Sequence, residues 1–210
     1  MINRGIDFFN NEKYNEAEEV FEKIIQERII EKDYRTALYY LGYIMCLREK
    51  FSEAKNIYKE LLEISRVEHD MENSAIMYHQ LGMVERLNGH LDKAIDYFMF
   101  EKNTRKCYLE DDFVGFSSNY YELALLHLRK SDVEKAKTYL DLAMMNGIIS
   151  EDDTTIGICY KGLGDIEVHT GDLSKAKKWY CDSKRYFENA KEEHKIKEVQ
   201  SMIDKLQATL

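Results

Sequence analysis

Apolar and small residues recur along this chain at the spacing of helical faces, and the arrangement repeats five times. In each copy a small residue is followed twelve positions later by an alanine. An apolar residue stands three positions before that alanine, and a large residue stands four positions after it. The small residues are Gly5, Gly42, Gly82, Ala124 and Gly164; the alanines are Ala17, Ala54, Ala94, Ala136 and Ala176; the large residues are Phe21, Tyr58, Phe98, Leu140 and Tyr180. This recurrence predicts five copies of one structural unit.

The two columns of small residues predict a close crossing of two antiparallel helices. Helices approach closely where a small side chain of one faces the other, and the large residue then fills the space beside the crossing. Turn-like stretches separate the two columns at residues 10–12, 48–50, 88–90, 129–131 and 170–172. The chain contains no proline, which favours a fold that is helical almost throughout. Each copy is therefore predicted to be a helical hairpin.

The spacing of the copies also predicts the organisation of the chain. Consecutive small residues lie 37 to 42 positions apart, so we expect a single solenoid domain over residues 1–210. Its repeats are expected over about 1–32, 33–69, 70–110, 111–148 and 149–190. A final amphipathic helix over about 191–208 would cap the last repeat, because its apolar residues recur on one face. The extra residues are expected to lengthen the second helix and the inter-repeat turn.

The first hairpin begins almost at Met1 and has no visible capping helix. The sequence leaves three readings open for this end: fraying, pairing with a second copy in a homodimer, or an edge left by removal of a preceding domain. Acidic residues precede two predicted first helices, at 110–112 and 151–153, where carboxylates stabilise a helix N-terminus. They lack the alternating oxygen ligands and turn glycine of a calcium loop, so no metal site is predicted.

The composition of the chain argues against some classes of binding partner. The net charge is −9, which opposes direct binding to nucleic acid. No apolar run approaches the roughly 18 residues that a membrane helix needs, and the N-terminus lacks the apolar segment of a secretory signal. The expected location is therefore the cytoplasm, with no membrane contact. The four cysteines are far apart, which favours reduced thiols in the core or in a groove wall: Cys46, Cys107, Cys159 and Cys181.

The four recurring columns resemble the tetratricopeptide repeat (TPR) family over almost the whole chain. Tyr78 and Tyr160 resemble the aromatic residue that precedes Leu-Gly in that family. The chain departs from the pattern in lacking the closing proline and in having repeats longer than 34 residues. Periods near 40 resemble a long-repeat branch that includes bacterial peptide-pheromone receptors and adaptor proteins. The resemblance implies an all-α fold, namely a right-handed superhelical TPR-like α-solenoid of five helical hairpins plus a C-terminal capping helix.

In this fold the first helices of the hairpins line a concave groove, which identifies the candidate binding residues. The predicted peptide-binding or partner-binding set is Tyr39, Tyr43, His79, Met83, Arg86, Tyr121, Leu125, Arg129, Lys161 and Asp165. Leu47, Leu87 and Leu128 are assigned instead to packing between repeats. Relatives that clamp a carboxylate use Lys and Asn on first helices, whereas Tyr39, His79 and Tyr121 stand at the lysine positions here. This departure argues against a carboxylate clamp, and the predicted groove residues favour an extended apolar peptide or the apolar face of a helix as ligand.

We accordingly expect a non-catalytic scaffold or adaptor that holds a protein or peptide segment in its groove. One alternative is a peptide-sensing regulator resembling pheromone receptors without their effector module, and a third is an accessory subunit of an enzyme. No phosphate-binding glycine loop, His-Glu-x-x-His motif or serine elbow is present, and no two histidines lie four positions apart. No catalytic residue and no cofactor are predicted.

Overall fold

The computed structural model describes residues 1–208, and within them the chain forms eleven helices. In chain order they are α1 (Ile2–Asn10), α2 (Tyr14–Glu27), α3 (Glu31–Leu47), α4 (Phe51–Val67), α5 (Met71–Leu87), α6 (Leu91–Tyr108), α7 (Phe113–Arg129), α8 (Val133–Ile149), α9 (Asp153–Thr170), α10 (Leu173–Asn189) and α11 (Glu193–Gln207). Helices α1 to α10 form five hairpins, and α11 follows them. The predicted all-α architecture of helical hairpins with a final helix is confirmed.

The extra residues of the long repeat were expected to lengthen only the second helix and the inter-repeat turn, but the first helices are long as well. In the second and fourth hairpins both helices have 17 residues. The extra residues of the long repeat therefore lengthen the first helix as much as the second. None of the helices in residues 1–208 is both long and apolar enough to cross a membrane.

Residues in the left-handed backbone conformation follow helix C-termini, and aspartate side chains cap helix N-termini. Gly89 and Gly171 follow α5 and α9 with φ of 80° and 91°, a conformation that suits glycine. Asp112 and Asp152 each accept a hydrogen bond from the backbone three residues on, at 2.9 Å from Gly115 N and 2.6 Å from Thr155 N. The acidic stretches therefore stabilise the N-termini of α7 and α9, as their positions predict.

The columns of small and large residues meet inside the hairpins. A Cβ atom added to Gly82 would lie 2.8 Å from Phe98 Cζ, and one added to Gly42 would lie 2.7 Å from Tyr58 Cζ. The fourth hairpin differs, because Ala124 stands at the glycine position and the opposing residue is the smaller Leu140. In the glycine-containing hairpins the large ring fills the space that the glycine leaves, which is why the columns recur together.

The chain divides into two compact units, residues 1–104 and the residues from 105 onward. In unit 1 one continuous core includes Phe21, Tyr58 and Leu81, all with no exposed surface. In unit 2 one cluster forms around Leu140 and Cys159. A second cluster joins α10 to α11 and consists of Ala176, Tyr180, Phe187, Val199, Ile203 and Leu206. Helix α11 therefore covers the apolar side of the last hairpin. That the whole chain forms one domain stays a prediction.

Candidate functional site: the first-helix surfaces

In unit 1 the most open of the predicted site residues is Tyr43 on α3. Its side chain is 44% exposed, and its ring makes an edge contact with Phe9 at a centroid distance of 5.3 Å. Tyr39, one turn earlier, is half-buried and its ring packs against Tyr58 at 6.1 Å. The Tyr39 hydroxyl accepts a hydrogen bond of 3.2 Å from Gln80 Nε2, which joins α3 to α5. Helix α3 thus presents one anchored tyrosine and one open tyrosine.

On α5 the three predicted residues His79, Met83 and Arg86 are half-buried. His79 Nδ1 lies 3.0 Å from a carboxylate oxygen of Glu101, whose side chain has no exposed surface. The His79 ring also contacts Phe98 edge-on at 5.3 Å. Arg86 Nη2 lies 3.5 Å from Met83 Sδ. His79 therefore links the two helices of its own hairpin, while Met83 and Arg86 form an adaptable apolar and cationic surface.

In unit 2 the residues Tyr121 and Leu125 are half-buried on α7, and Arg129 is exposed at the end of that helix. A Cβ atom on Gly162 would lie 3.1 Å from Tyr121 Cε2, so the glycine makes room for the tyrosine ring. Burial raises the pKa of the Tyr121 hydroxyl well above its usual range, and the negative charge of Asp165 acts in the same direction. Tyr121 therefore stays protonated and keeps a hydrogen-bond donor at this surface.

Lys161 and Asp165 are engaged by neighbouring helices. Tyr180 on α10 donates a 2.7 Å hydrogen bond to Asp165 Oδ1. Lys161 Nζ lies 3.7 Å from Asp165 Oδ2 and 3.3 Å from Glu198 Oε1 on α11. Burial raises the pKa of Asp165, although Lys161 and the Tyr180 hydroxyl oppose that rise. These two predicted site residues therefore already hold α10 and α11 against α9.

Sequence reasoning missed Glu198 and Gln80 as partners of the predicted residues. Gln80 lies beside His79 on α5 but outside the recurring columns, and Glu198 lies on α11, which has no counterpart in the repeats. Repeat periodicity carries no signal for either residue. A charge at Glu198 on the polar face of an amphipathic helix is equally compatible with solvent exposure.

The predicted packing of three leucines is correct for one of them. Leu128 is 9% exposed and belongs to the core, whereas Leu47 and Leu87 are 48% and 49% exposed. Both exposed leucines lie at the last residue of a first helix, α3 and α5 respectively, where no following turn of that helix covers them. Leu47 and Leu87 therefore extend the apolar surface of unit 1 that Tyr43 and Met83 begin.

The prediction for the cysteines is correct for two of the four. Cys159 is buried, and burial raises the pKa of its thiol to about 11; Cys46 is half-buried. Cys107 and Cys181 are exposed, so their assignment to a core or groove wall is wrong. Within residues 1–208 no three His, Cys, Asp or Glu side chains are grouped so that they could hold a metal ion.

Comparison with known sequences identifies a known repeat in part of the chain. Residues 33–99, which include nearly all of the second hairpin and most of the third, match the tetratricopeptide repeat family. The TPR repeat-containing protein MJ1428 of Methanocaldococcus jannaschii is 25% identical over 192 residues, which cover 90% of this chain. The chain spans 30% of the length of that relative.

Solved structures share the fold over most of the chain. BtubC (BKLC) from P. vanneervenii has a TM-score of 0.65 at 12% identity, with 100% of this chain and 92% of that protein covered. The apo form of RapI gives 0.70 at 12% identity, with 90% and 53% covered. TTC0263, a TPR protein of Thermus thermophilus, gives 0.66 at 17% identity, with 99% and 97% covered. Together with the recurring contact between a small residue and a large one, these matches confirm the predicted fold, a TPR-like α-solenoid.

Proposed function

We propose that this protein is a non-catalytic scaffold or adaptor that binds a segment of another protein through the side chains of its first helices. The observation that carries the proposal is the set of apolar side chains that packing leaves open on the first helices of unit 1, where Tyr43, Leu47 and Leu87 are 44%, 48% and 49% exposed. The aromatic residues Tyr58 and Phe98 of the second helices are fully buried. Hairpin packing accounts for Tyr58 and Phe98, and it leaves the ring of Tyr43 available to a partner.

The chemistry of these surfaces favours an apolar polypeptide ligand. Tyr, Met and Arg are enriched at the centres of protein interfaces, because each combines a large contact area with an adaptable or polar end. Tyr43, Met83 and Arg86 supply this combination in unit 1, and Tyr121 with Leu125 supplies it in unit 2. The ligand that fits is an extended apolar segment or the apolar face of a helix. TPR proteins are generally protein-binding scaffolds, which supports the same conclusion.

Three further parts of the proposal follow from the same features. The protein acts in the cytoplasm, binds neither nucleic acid nor membrane, and needs no cofactor. The net charge of −9 opposes attraction to a phosphate backbone. The joining of the first-helix surfaces into one concave groove, and a homodimer formed through the first hairpin, stay predictions.

Affinity purification with quantitative mass spectrometry tests the proposal. A variant carrying Tyr43→Ala and Tyr121→Ala is compared with a control carrying Phe100→Ala and Tyr108→Ala, two exposed aromatic residues of the second helix α6. We expect proteins captured by the parent to be lost from the first variant and kept by the control. Tyr43→Ala alone is included, because Tyr43 is exposed enough for its removal to leave the fold intact, as circular dichroism will check.

Equal capture by all variants would contradict the proposal. Capture of this chain alone, with a doubled mass in solution, would show self-association in place of an adaptor role. Stabilisation by short synthetic peptides in a thermal-shift assay, without any captured protein, would favour the peptide-sensing alternative.

A further inference from the structure

Helix α8 of unit 2 presents a stripe of large apolar side chains to solvent. The residues that α8 buries in the fold share its opposite face: Ala136, Leu140, Ala143 and Gly147. Met145, Ile148 and Ile149 point away from that face, at the i, i+3 and i+4 positions, and are 59%, 58% and 54% exposed. These three residues are called the α8 stripe below. Covering them with a partner would remove apolar surface from water, which favours association.

The α8 stripe is a feature of the fourth hairpin. Met145 and Ile148 stand nine and twelve residues after the alanine of their hairpin. The residues at these two positions of α4, α6 and α10 are all polar and exposed: Glu63 and Arg66, Asn103 and Lys106, and Arg185 and Glu188. Helix α2 ends at Glu27, before the second position. Repeat geometry therefore turns both positions to solvent in four hairpins, and of these four second helices α8 alone fills them with apolar side chains.

The C-terminal end of α8 lies between the starts of two other helices. Ser117 Oγ on α7 donates a 2.7 Å hydrogen bond to Ala143 O. A Cβ atom on Gly147 would lie 3.3 Å from Thr155 Cγ2 on α9. The acidic stretches that precede α7 and α9 therefore flank the end of the α8 stripe.

Carboxylates outnumber cations around this end of α8. The charged side chains in the last turn of α6, in the two flanking turns, at the start of α9 and on α8 beyond its first turn are seven carboxylates and three cations: Glu110, Asp111, Asp112, Asp141, Glu151, Asp152 and Asp153 against Arg105, Lys106 and Lys137. Residues 182–195, at the end of α10 and the start of α11, contain four carboxylates and four Lys or Arg side chains and so add no net charge.

The excess of carboxylates is open to a partner. Asp112 and Asp152 are engaged as helix caps, whereas Glu110, Asp111 and Glu151 are exposed. The C-terminus of α8 adds the negative end of its helix dipole at the same place. Whatever covers the α8 stripe is therefore stabilised by a cation at this end.

The occupant that fits the α8 stripe is a helix. An α-helix has no free backbone groups along its length with which an extended segment could pair, whereas a helical segment satisfies its own backbone. An amphipathic helix lays anchors at i, i+3, i+4 and i+7 along such a stripe. A second copy of this chain fits less well, because two antiparallel α8 helices centred on Met145 would bring Asp141 of one copy toward Glu151 of the other.

We propose that the α8 stripe binds the apolar face of an amphipathic helix of a second partner protein, with Lys or Arg side chains of that helix at the acidic end of the stripe. Apolar burial supplies the attraction, and the carboxylates select a basic helix over an acidic one. This inference goes beyond the proposed function, because Tyr43, Met83 and Tyr121 lie on first helices and α8 is a second helix.

Methyl NMR of the full chain with a defined peptide tests the inference without knowledge of the natural partner. The probe is acetyl-KKALAKLLAKLAAK-amide, whose leucines recur at i, i+3, i+4 and i+7, and the matched peptide has Glu in place of every Lys. The chain is labelled at its Met and Ile methyl groups. We expect saturable shifts of Met145, Ile148 and Ile149 with the basic peptide, and binding about tenfold weaker with the acidic one.

Two substitutions have matched controls. Met145→Asn gives α8 the residue that α6 carries as Asn103, and it is expected to weaken binding, followed at Ile149, about fivefold. Val67→Asn, at an exposed apolar residue of α4, is expected to leave binding unchanged.

Glu151→Lys tests the charge at the end of the stripe. The residue has a φ of 54°, and Lys191 adopts 59° at the equivalent place after α10, so the backbone tolerates lysine there. Its expected effect is about threefold weaker binding of the basic peptide and a smaller preference over the acidic peptide. Glu49→Lys is the control, because Glu49 is also exposed, with a φ of 58°, but lies in unit 1.

Several outcomes would overturn the inference. Equal affinity for the two peptides would remove the role of the carboxylates. Shifts confined to Met83 would place the peptide on a first helix, and shifts spread over all exposed methyl groups would show unspecific attraction to an acidic protein. A doubled mass of the free chain that Met145→Asn reduces to the monomer would assign the α8 stripe to a second copy.

Discussion

The pairing of a small residue with a large one can be tested most sharply at Gly82 and Phe98. A Cβ atom on Gly82 would lie 2.8 Å, 2.9 Å and 3.0 Å from three ring carbons of Phe98. The ring has no exposed surface and contacts the edge of His79, so it has little room to move. Gly82→Ala therefore forces a backbone shift between α5 and α6 or an unfavourable rotamer of Phe98.

The expected magnitude is the balance of two effects. Overpacking by one methyl group costs about 1–3 kcal/mol, whereas replacing glycine by alanine inside a helix gains about 1 kcal/mol. The net loss expected for Gly82→Ala is about 1 kcal/mol of unfolding free energy. The fourth hairpin indicates the rescue, because it combines Ala124 with Leu140 at the same two positions. In a Phe98→Leu background the methyl group has space, so Gly82→Ala should stabilise the protein by up to about 1 kcal/mol.

Urea denaturation of the parent, both single variants and the double variant gives the coupling energy of the pair. Far-ultraviolet circular dichroism follows all helices, while fluorescence of the single tryptophan, Trp179 on α10, follows unit 2. Coincident transitions justify one unfolding free energy for the chain; otherwise the transition seen by circular dichroism alone is used for Gly82. The structure predicts a favourable coupling of about 2 kcal/mol. An equal effect of Gly82→Ala in both backgrounds, within about 0.5 kcal/mol, would refute this explanation of the repeat.

Two further predictions concern unit 2. Asp152→Ala should lower the unfolding free energy by about 1 kcal/mol in urea titrations, because it removes the N-terminal cap of α9. Asp152→Asn should keep most of that free energy, because an asparagine side chain also caps a helix. Equal losses for the two variants would contradict the cap. Burial raises the pKa of Asp165, so its ionisation opposes folding, and the parent loses stability as pH rises from about 3.9 through the raised value. Stability of Asp165→Asn relative to the parent should therefore increase with pH and then level off, with Asp141→Asn as the control for charge; a difference independent of pH would contradict it.

The hairpins could be predicted from the sequence because each contact that defines them recurs at a fixed spacing. Gly42 with Tyr58 and Gly82 with Phe98 are separated by the same sixteen residues, so one physical rule is visible several times in one chain. Helix ends were also predictable, since the Gly89 turn and the Asp152 cap act through local backbone geometry.

The details of the site depend on contacts that do not recur. Repeat position identified Tyr43 as open, yet the same reasoning gave no sign that Lys161 pairs with Glu198 across to α11. The cleft that Ser65 lines between α3 and α5 could not be predicted either, because a serine is informative only when the volume around it is known. Gly147, the equivalent residue of the fourth hairpin, is small too, yet its neighbours enclose it.

The central claim is that partners bind to first-helix side chains, and hydroxyl-radical footprinting of a purified complex tests it most directly. The reaction labels exposed aromatic and sulfur-containing side chains, so both kinds of helix can be followed in one experiment. Tyr43 is 44% exposed and Met83 half-buried on first helices, while Phe100 and Met145 are 54% and 59% exposed on second helices. We predict that the partner protects Tyr43 and Met83 and leaves Phe100 and Met145 labelled as in the free protein. Protection of Phe100 and Met145, with Tyr43 and Met83 unchanged, would contradict the claim.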